Sequence, residues 1–271
     1  MTTSLNKAFS LKQIFITMHW ELLIFFLVIA FVYASVGFGG GSSYLAILAL
    51  YQVPFQEMRL TALVCNIIVV TGGAIIFIRN KQVDWTKVIP LVVVSVPMAF
   101  VGASLKLKED TFFIILGCSL IVAAILLWIK TWRNNDEIRK QGSTGYIKDA
   151  LLGGGIGFLS GMVGIGGGIF LSPILNLMKW DTPKKIAATA SLFILVNSVS
   201  GISGQLSVLP KEINFTQIGL LCAAVFLGGQ VGSRMGAVKF NPLVIRRVTA
   251  IIVFVAGIEV LWKHLGIVKW G

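Results

Sequence analysis

Long apolar runs alternate with short polar breaks along almost the whole chain. The runs cover Leu22–Tyr51, Met58–Ile78, Val88–Leu105, Thr111–Ile129, Ala150–Met178, Ile186–Leu206, Phe215–Gly236 and Leu243–Leu261. Each is long enough to cross a hydrocarbon core about 30 Å thick as a helix. The pattern predicts an all-α polytopic membrane protein of about eight transmembrane segments. Four lie on each side of a polar stretch. It divides the chain into an N-terminal cytoplasmic or interfacial segment (1–20), a first transmembrane repeat (21–130), a basic linker (131–148), a second repeat (149–265) and a C-terminal tail (266–271).

The first and fifth runs are interrupted by the same motif. Gly37-Phe38-Gly39-Gly40-Gly41 and Gly164-Ile165-Gly166-Gly167-Gly168 stand 127 residues apart. Glycine breaks a helix and frees backbone N–H and C=O groups. In lipid such groups are tolerated only where they line a cavity or are buried in protein. Matching breaks in two halves point to the binding site of a transporter. The repeat continues past the glycines: Ile47, Leu48 and Leu50 match Ile174, Leu175 and Leu177, Pro54 matches Pro183, Leu63 matches Leu192, and Gly72 matches Gly201. Two four-segment bundles about a pseudo-two-fold axis are expected, each with a glycine-broken helix. Gly153, Gly157 and Gly161, with Ala30 and Ala34 as counterparts, and Gly228, Gly232 and Gly236 form small-residue faces. They are suited to close helix packing.

Composition agrees with the pattern. The chain is 56% hydrophobic and 13% charged, against about 25% charged in soluble domains. Its mean hydropathy is +0.88. Lys7, Lys12, Leu22–Phe31 and Val32-Tyr33-Ala34 have the order of a signal peptide. The internal repeat argues against cleavage, because the equivalent stretch Gly153–Gly161 lies mid-chain. Cys65, Cys118 and Cys222 sit in separate apolar runs, and His19 and His264 are isolated at run ends. No metal site, cofactor or disulfide framework follows from them.

The net charge of +12 resides in short loops between apolar runs. It therefore reads as membrane topology and contact with anionic lipid, not as nucleic-acid binding. The linker, with Lys130, Arg133, Arg139, Lys140 and Lys148, is expected in the cytoplasm. Four crossings per half would place both termini there too. They would also place Arg234, Lys239, Arg246 and Arg247 outside, against the charge rule. Re-entrant motifs would instead give an odd number of crossings and inverted halves. The charge pattern alone leaves both open.

Gly164-x-Gly166-Gly167-Gly168-x-x-x-x-Pro173-x-Leu175 resembles the glycine signature of the TauE/SafE family of anion transporters. Gly37-x-Gly39-Gly40-Gly41 resembles it too, with Ala46 in the place of Pro173. The resemblance runs from about Phe31 to Leu261. It implies a secondary transporter in the cytoplasmic (inner) membrane, working by alternating access. The expected cargo is a small sulfur-containing anion (sulfite, a sulfonate or a sulfoacetate-like molecule), moved outward. Membrane lipid and a second copy of the chain, as a homodimer, complete the partners considered.

Such an anion needs N–H and O–H donors without a trapping charge. Helices that begin just after the glycines offer unpaired N–H groups at the positive end of their dipoles. The expected substrate-binding set is Gly39, Gly40, Gly41, Ser42, Ser43 and Asn66 from the first half. Gly166, Gly167, Gly168, Ser191, Asn197 and Gln230 come from the second. Asn66 and Asn197 serve equally well as hydrogen-bond glue between helices. No charged residue falls near the middle of a run, so no proton-carrying carboxylate is named. Neither motif has P-loop or dinucleotide spacing. No placed nucleophile and base suggest an enzyme. A membrane scaffold without transport is the alternative reading.

Overall fold

A computed structural model describes residues 20–35, 37–132, 145–206, 213, 215–236 and 242–264. The N-terminal segment, most of the linker and the C-terminal tail lie outside the described residues. Among the described residues ten helices follow in order: α1 (Trp20–Ala34), α2 (Gly41–Leu50), α3 (Phe55–Arg79), α4 (Trp85–Ser104), α5 (Glu109–Trp132), α6 (Tyr146–Val163), α7 (Gly168–Leu177), α8 (Pro183–Gln205), α9 (Phe215–Gly236) and α10 (Pro242–His264). The described residues are helix and connecting turns, with no strand among them. Helices α3, α4, α5, α8 and α9 are long and apolar enough to cross a membrane. The protein is a multi-pass membrane protein, as the apolar runs require.

The eight apolar runs are all helical, but the two with glycines do not continue across. They fold back. Asp149, in the first turn of α6, accepts a 3.1 Å hydrogen bond from Nε1 of Trp180, just past the end of α7. Extended end to end as helix, these points would be about 46 Å apart at 1.5 Å per residue. Helices α6 and α7 are therefore a hairpin with the glycines at its tip. The first half repeats this arrangement. Phe26, two turns before the end of α1, stacks on Tyr44 in the first turn of α2, with centroids 4.6 Å apart.

Helix directions can be read from contacts between numbered positions. Gly153, Gly157 and Gly161 of α6 rest on the backbone of Leu91, Ser95 and Ala99 of α4, so these helices run parallel. Gly228 and Gly232 of α9 rest in the same way on Leu27 and Phe31 of α1. Ser200 bonds the carbonyl of Val96 and Gly204 touches that of Phe100, which makes α8 parallel to α4. Helices α6 and α8 thus point the same way, with α7 returning between them. The sequence-equivalent helices α3 and α8 run antiparallel, since Leu63 meets Gly201 while Phe77 and Ala187 both meet Gly37. The equivalent pair α5 and α10 is antiparallel as well, with Gly117 against Leu261 and Gly257 against Ile121. A two-fold axis that reverses helices crossing a membrane lies in the membrane plane. The halves are inverted repeats, each a re-entrant hairpin followed by three long helices.

The expectation of two separate bundles is also corrected. The most extensive helix contacts, α4–α6, α5–α10 and α1–α9, all join one half to the other. Apolar side chains gain nothing by leaving lipid for a neighbouring helix. Association therefore depends on close packing, and the small-residue faces supply it between halves.

Inversion removes the conflict in the charges. Arg79, Lys81, Lys87, Lys148, Lys179, Lys184, Lys185, Arg234, Arg246 and Arg247 all fall at the face where α5 ends and α6 begins, called here the linker face. Lys106, Lys108 and Lys263 fall at the opposite face. Helix α1 starts and α10 ends there as well, not on the linker side where four crossings per half would place both termini. Exposed tryptophans mark both interfaces: Trp85 and Trp128 on the linker face, Trp20 and Trp262 on the other.

Candidate functional site

The two hairpins enter from opposite faces and touch tip to tip at the middle of the α3–α8 pair. A helix ends at Ala34 and restarts at Gly41; another ends at Val163 and restarts at Gly168. Gly40 and Gly167 are the N-caps of α2 and α7, with φ of 84° and 82°. That left-handed conformation is one glycine adopts without steric cost. A glycine N-cap has no side chain to bond the first N–H groups, and none does so here. The first N–H groups of a helix have no intrahelical partner. Two uncapped, electropositive helix ends are therefore buried together, since Gly41, Ser42, Ser43, Gly168, Ile169 and Phe170 are all shielded from solvent.

Asn66 joins the tips. It is fully buried near the midpoint of α3. Its Nδ2 donates to the carbonyl of Ile165 at 2.9 Å, while its Oδ1 has no protein partner. Glycines surround it. A Cβ on Gly39 would overlap Oδ1; one on Gly41 would stand 2.5 Å from Nδ2, and one on Gly166 would stand 2.8 Å from it. Ser198 faces the same point from α8, 3.0 Å from the Cβ position of Gly166.

Several buried hydroxyls around the tips have no protein partner: Ser42 and Tyr44 on α2, Ser160 on α6 and Ser198 on α8. An unpaired buried polar group costs about 1–3 kcal/mol. Ser198 shares the Asn66 point at Gly166, Tyr44 lies beside Gly40 and Ser160 beside Gly167, and no carboxylate is found with them among the described residues. Such a set can donate to an anion from neutral groups.

Of the expected site residues, Gly39, Gly40, Gly41, Ser42, Asn66, Gly166, Gly167 and Gly168 come together at the tips. Ser43 lies there too, but its hydroxyl shares a 2.6 Å hydrogen bond with Tyr33. Ser191 bonds the carbonyls of Gly37 and Ala187, at the base of the first tip. Asn197 points elsewhere, bonding Ser95 of α4 and its own helix at Phe193. One residue along a helix is a rotation of 100°, so Ser198 takes the central place. Gln230 lies against Gly72, six residues from Asn66 along α3. Sequence reasoning missed Tyr44 and Ser160, and it weighed Ser198, one of the polar residues of the run Ile186–Leu206, below Asn197. It also missed Arg59, which is fully buried in the second turn of α3. A seven-residue spacing links Arg59, Asn66 and Gly73 on α3, and Ser191, Ser198 and Gln205 on α8. That spacing keeps each set on one helix face and was a signal for Ser198 and Arg59. No group of three or more possible metal ligands occurs among the described residues.

Comparison with known proteins identifies the family of the chain. The family model described as "Sulfite exporter TauE/SafE" matches residues 22–260. "Probable membrane transporter protein y4hK" of Sinorhizobium fredii is 33% identical over 242 residues, covering 89% of this chain and 97% of that protein. "Probable membrane transporter protein YunE" of Bacillus subtilis is 25% identical, covering 73% and 79% of the two chains. A "Probable membrane transporter protein" of Haemophilus influenzae is 24% identical, covering 82% and 87%. No solved structure matches the chain.

Proposed function

The chain belongs to the TauE/SafE sulfite exporter family of membrane transporters, and we propose that it carries a small sulfur oxyanion or organosulfonate out across the cytoplasmic membrane. The linker face, with its excess of Lys and Arg, is the cytoplasmic one. The observation that supports this reading most is the tip-to-tip meeting of two uncapped helix N-termini around Asn66. Sulfite and sulfonates present several acceptor oxygens and a net negative charge. Helix-terminal N–H groups and the hydroxyls of Ser42 and Ser198 supply donors to match. With no cation at that point, binding is weak enough for release, which transport requires.

Alternating access follows from the inverted halves. One hairpin stands between the anion and each face of the membrane. Displacing one tip opens a path to its side, and exchanging which tip is displaced reverses the path. A scaffold role leaves two buried, uncapped helix ends without a purpose. Flux of labelled sulfite and of a small labelled sulfonate, measured with purified protein in proteoliposomes, tests the reading. Saturable flux of either is expected. Absence of flux for every sulfur anion tried would favour the scaffold.

A further inference from the structure

The antiparallel α3–α8 pair carries a second polar level, nearer the face opposite the linker. In this pair, positions that face each other have a constant sum: Leu63 meets Gly201, and Asn66 and Ser198 meet at Gly166. The same register sets Arg59 opposite Gln205, seven residues or about 10 Å beyond Asn66. Both lie beside the last turn of α4. Arg59 bonds the carbonyl of Ala103, and the neighbour of Gln205, Gly204, packs against the Ala103 side chain.

Both side chains are sealed from solvent, at 1% and 0% exposure, and both keep unspent hydrogen-bonding groups. Arg59 Nη2 donates to Ala103 at 3.2 Å and to Gly161 at 2.9 Å. These carbonyls belong to the final turns of α4 and α6, where intrahelical partners run out and the helix dipoles are negative. Capping two helix ends explains how a guanidinium is held without a carboxylate. It does not use Nε, which has no partner, nor either polar atom of Gln205. The halves differ here. In the repeat register set by Pro54 and Pro183, the counterpart of Arg59 is Ala188, buried in α8.

We propose that Arg59 and Gln205 form a second oxyanion subsite, through which the transported anion passes between the central tips and the face opposite the linker. It rests on the transport reading above. Nε–H of Arg59 and the amide N–H of Gln205 donate to the oxygens of a sulfite or sulfonate group, and the guanidinium supplies the charge that the centre lacks. With Ala188 in the equivalent place, the path toward the linker face has no matching cation, so the subsite acts on one side only.

Kinetics of labelled sulfite measured from each face, in membrane vesicles of the two orientations, test this. Gln205→Leu keeps the size of the side chain and leaves the Arg59 caps in place. It is expected to raise KM at least tenfold for anion presented at the face opposite the linker, with KM at the linker face within twofold of the wild type. Arg59→Lys should shift KM in the same one-sided way, while Asn66→Ala shifts both. Wild-type KM at both faces in Gln205→Leu would overturn the subsite, as would an equal rise at both. Failure of the wild type itself to carry sulfite or a sulfonate would defeat the transport reading instead.

Discussion

Asn66 in the first half donates its side-chain amide to the carbonyl of Ile165 in the second, 99 positions away, at 2.9 Å. One hydrogen bond thus ties α3 to the tip of the hairpin that enters from the other side. Asn66→Ala leaves that carbonyl buried without its partner, at a cost of about 1–3 kcal/mol. Thermal unfolding in detergent should show a lower Tm. An unchanged Tm would mean that the tip is held by other contacts.

The tips are expected to reject side chains that other glycines accept. A Cβ on Gly41 would meet Asn66 Nδ2 at 2.5 Å and the Ile165 carbonyl at 2.8 Å, whereas one on Gly155 would meet nothing within 4 Å. Gly41→Ala, and Gly167→Val at a φ of 82°, should abolish flux while leaving protein in the membrane. Gly155→Ala should transport normally. Wild-type flux in both tip variants would reduce the motifs to packing elements.

Hairpins and kinked spans place Lys179 on different sides of the membrane. In the structure it follows α7 and lies on the linker face with Lys81. In a background without native cysteines, Lys179→Cys and Lys81→Cys should react with a membrane-impermeant maleimide from the same side, and Lys106→Cys from the other. Labelling of position 179 together with position 106 would restore a continuous broken span.

The open end of the second hairpin is pinned by charge. Asp181 receives a 2.8 Å bond from Lys87, and Lys185 lies 3.6 Å away. Burial alone raises the Asp181 pKa, but the bonds from Lys87 and the Thr182 N–H, with the charges of Lys87 and Lys185, hold it below its ordinary value. A depressed carboxylate stabilises the fold above its unfolded pKa of about 3.9 and loses that contribution as pH falls through the folded value. The Tm difference between wild type and Asp181→Asn should therefore persist from neutral pH to about pH 4 and shrink below it. A difference that does not shrink would exclude this ion pair as its source.

Much of this was legible in the sequence. Eight apolar runs, the glycine motifs and the repeat register gave the helical class, the pseudo-symmetry and most residues at the tips. Hydropathy has no sign of direction, so it did not distinguish a hairpin from a kinked span; the contact between Asp149 and Trp180 does. Asn197 looked equal to Asn66 because both are amides in mid-run, and helical rotation separates them. Arg59, the second residue of the run Met58–Ile78, was not singled out, and a buried cation without a carboxylate is unusual. The carbonyl ends of α4 and α6 that accommodate it come from remote parts of the chain.

The central claim is that an anion is held where the two tips meet at Asn66. Equilibrium binding of labelled sulfite to purified wild-type and Asn66→Ala protein, both shown to be folded, tests it most directly. A lost bond to a charged ligand costs about 1.5–3 kcal/mol, or roughly tenfold to a hundredfold in affinity. The account predicts saturable binding to the wild type and weakening of that order in the variant. Equal affinities in the two folded proteins would contradict it.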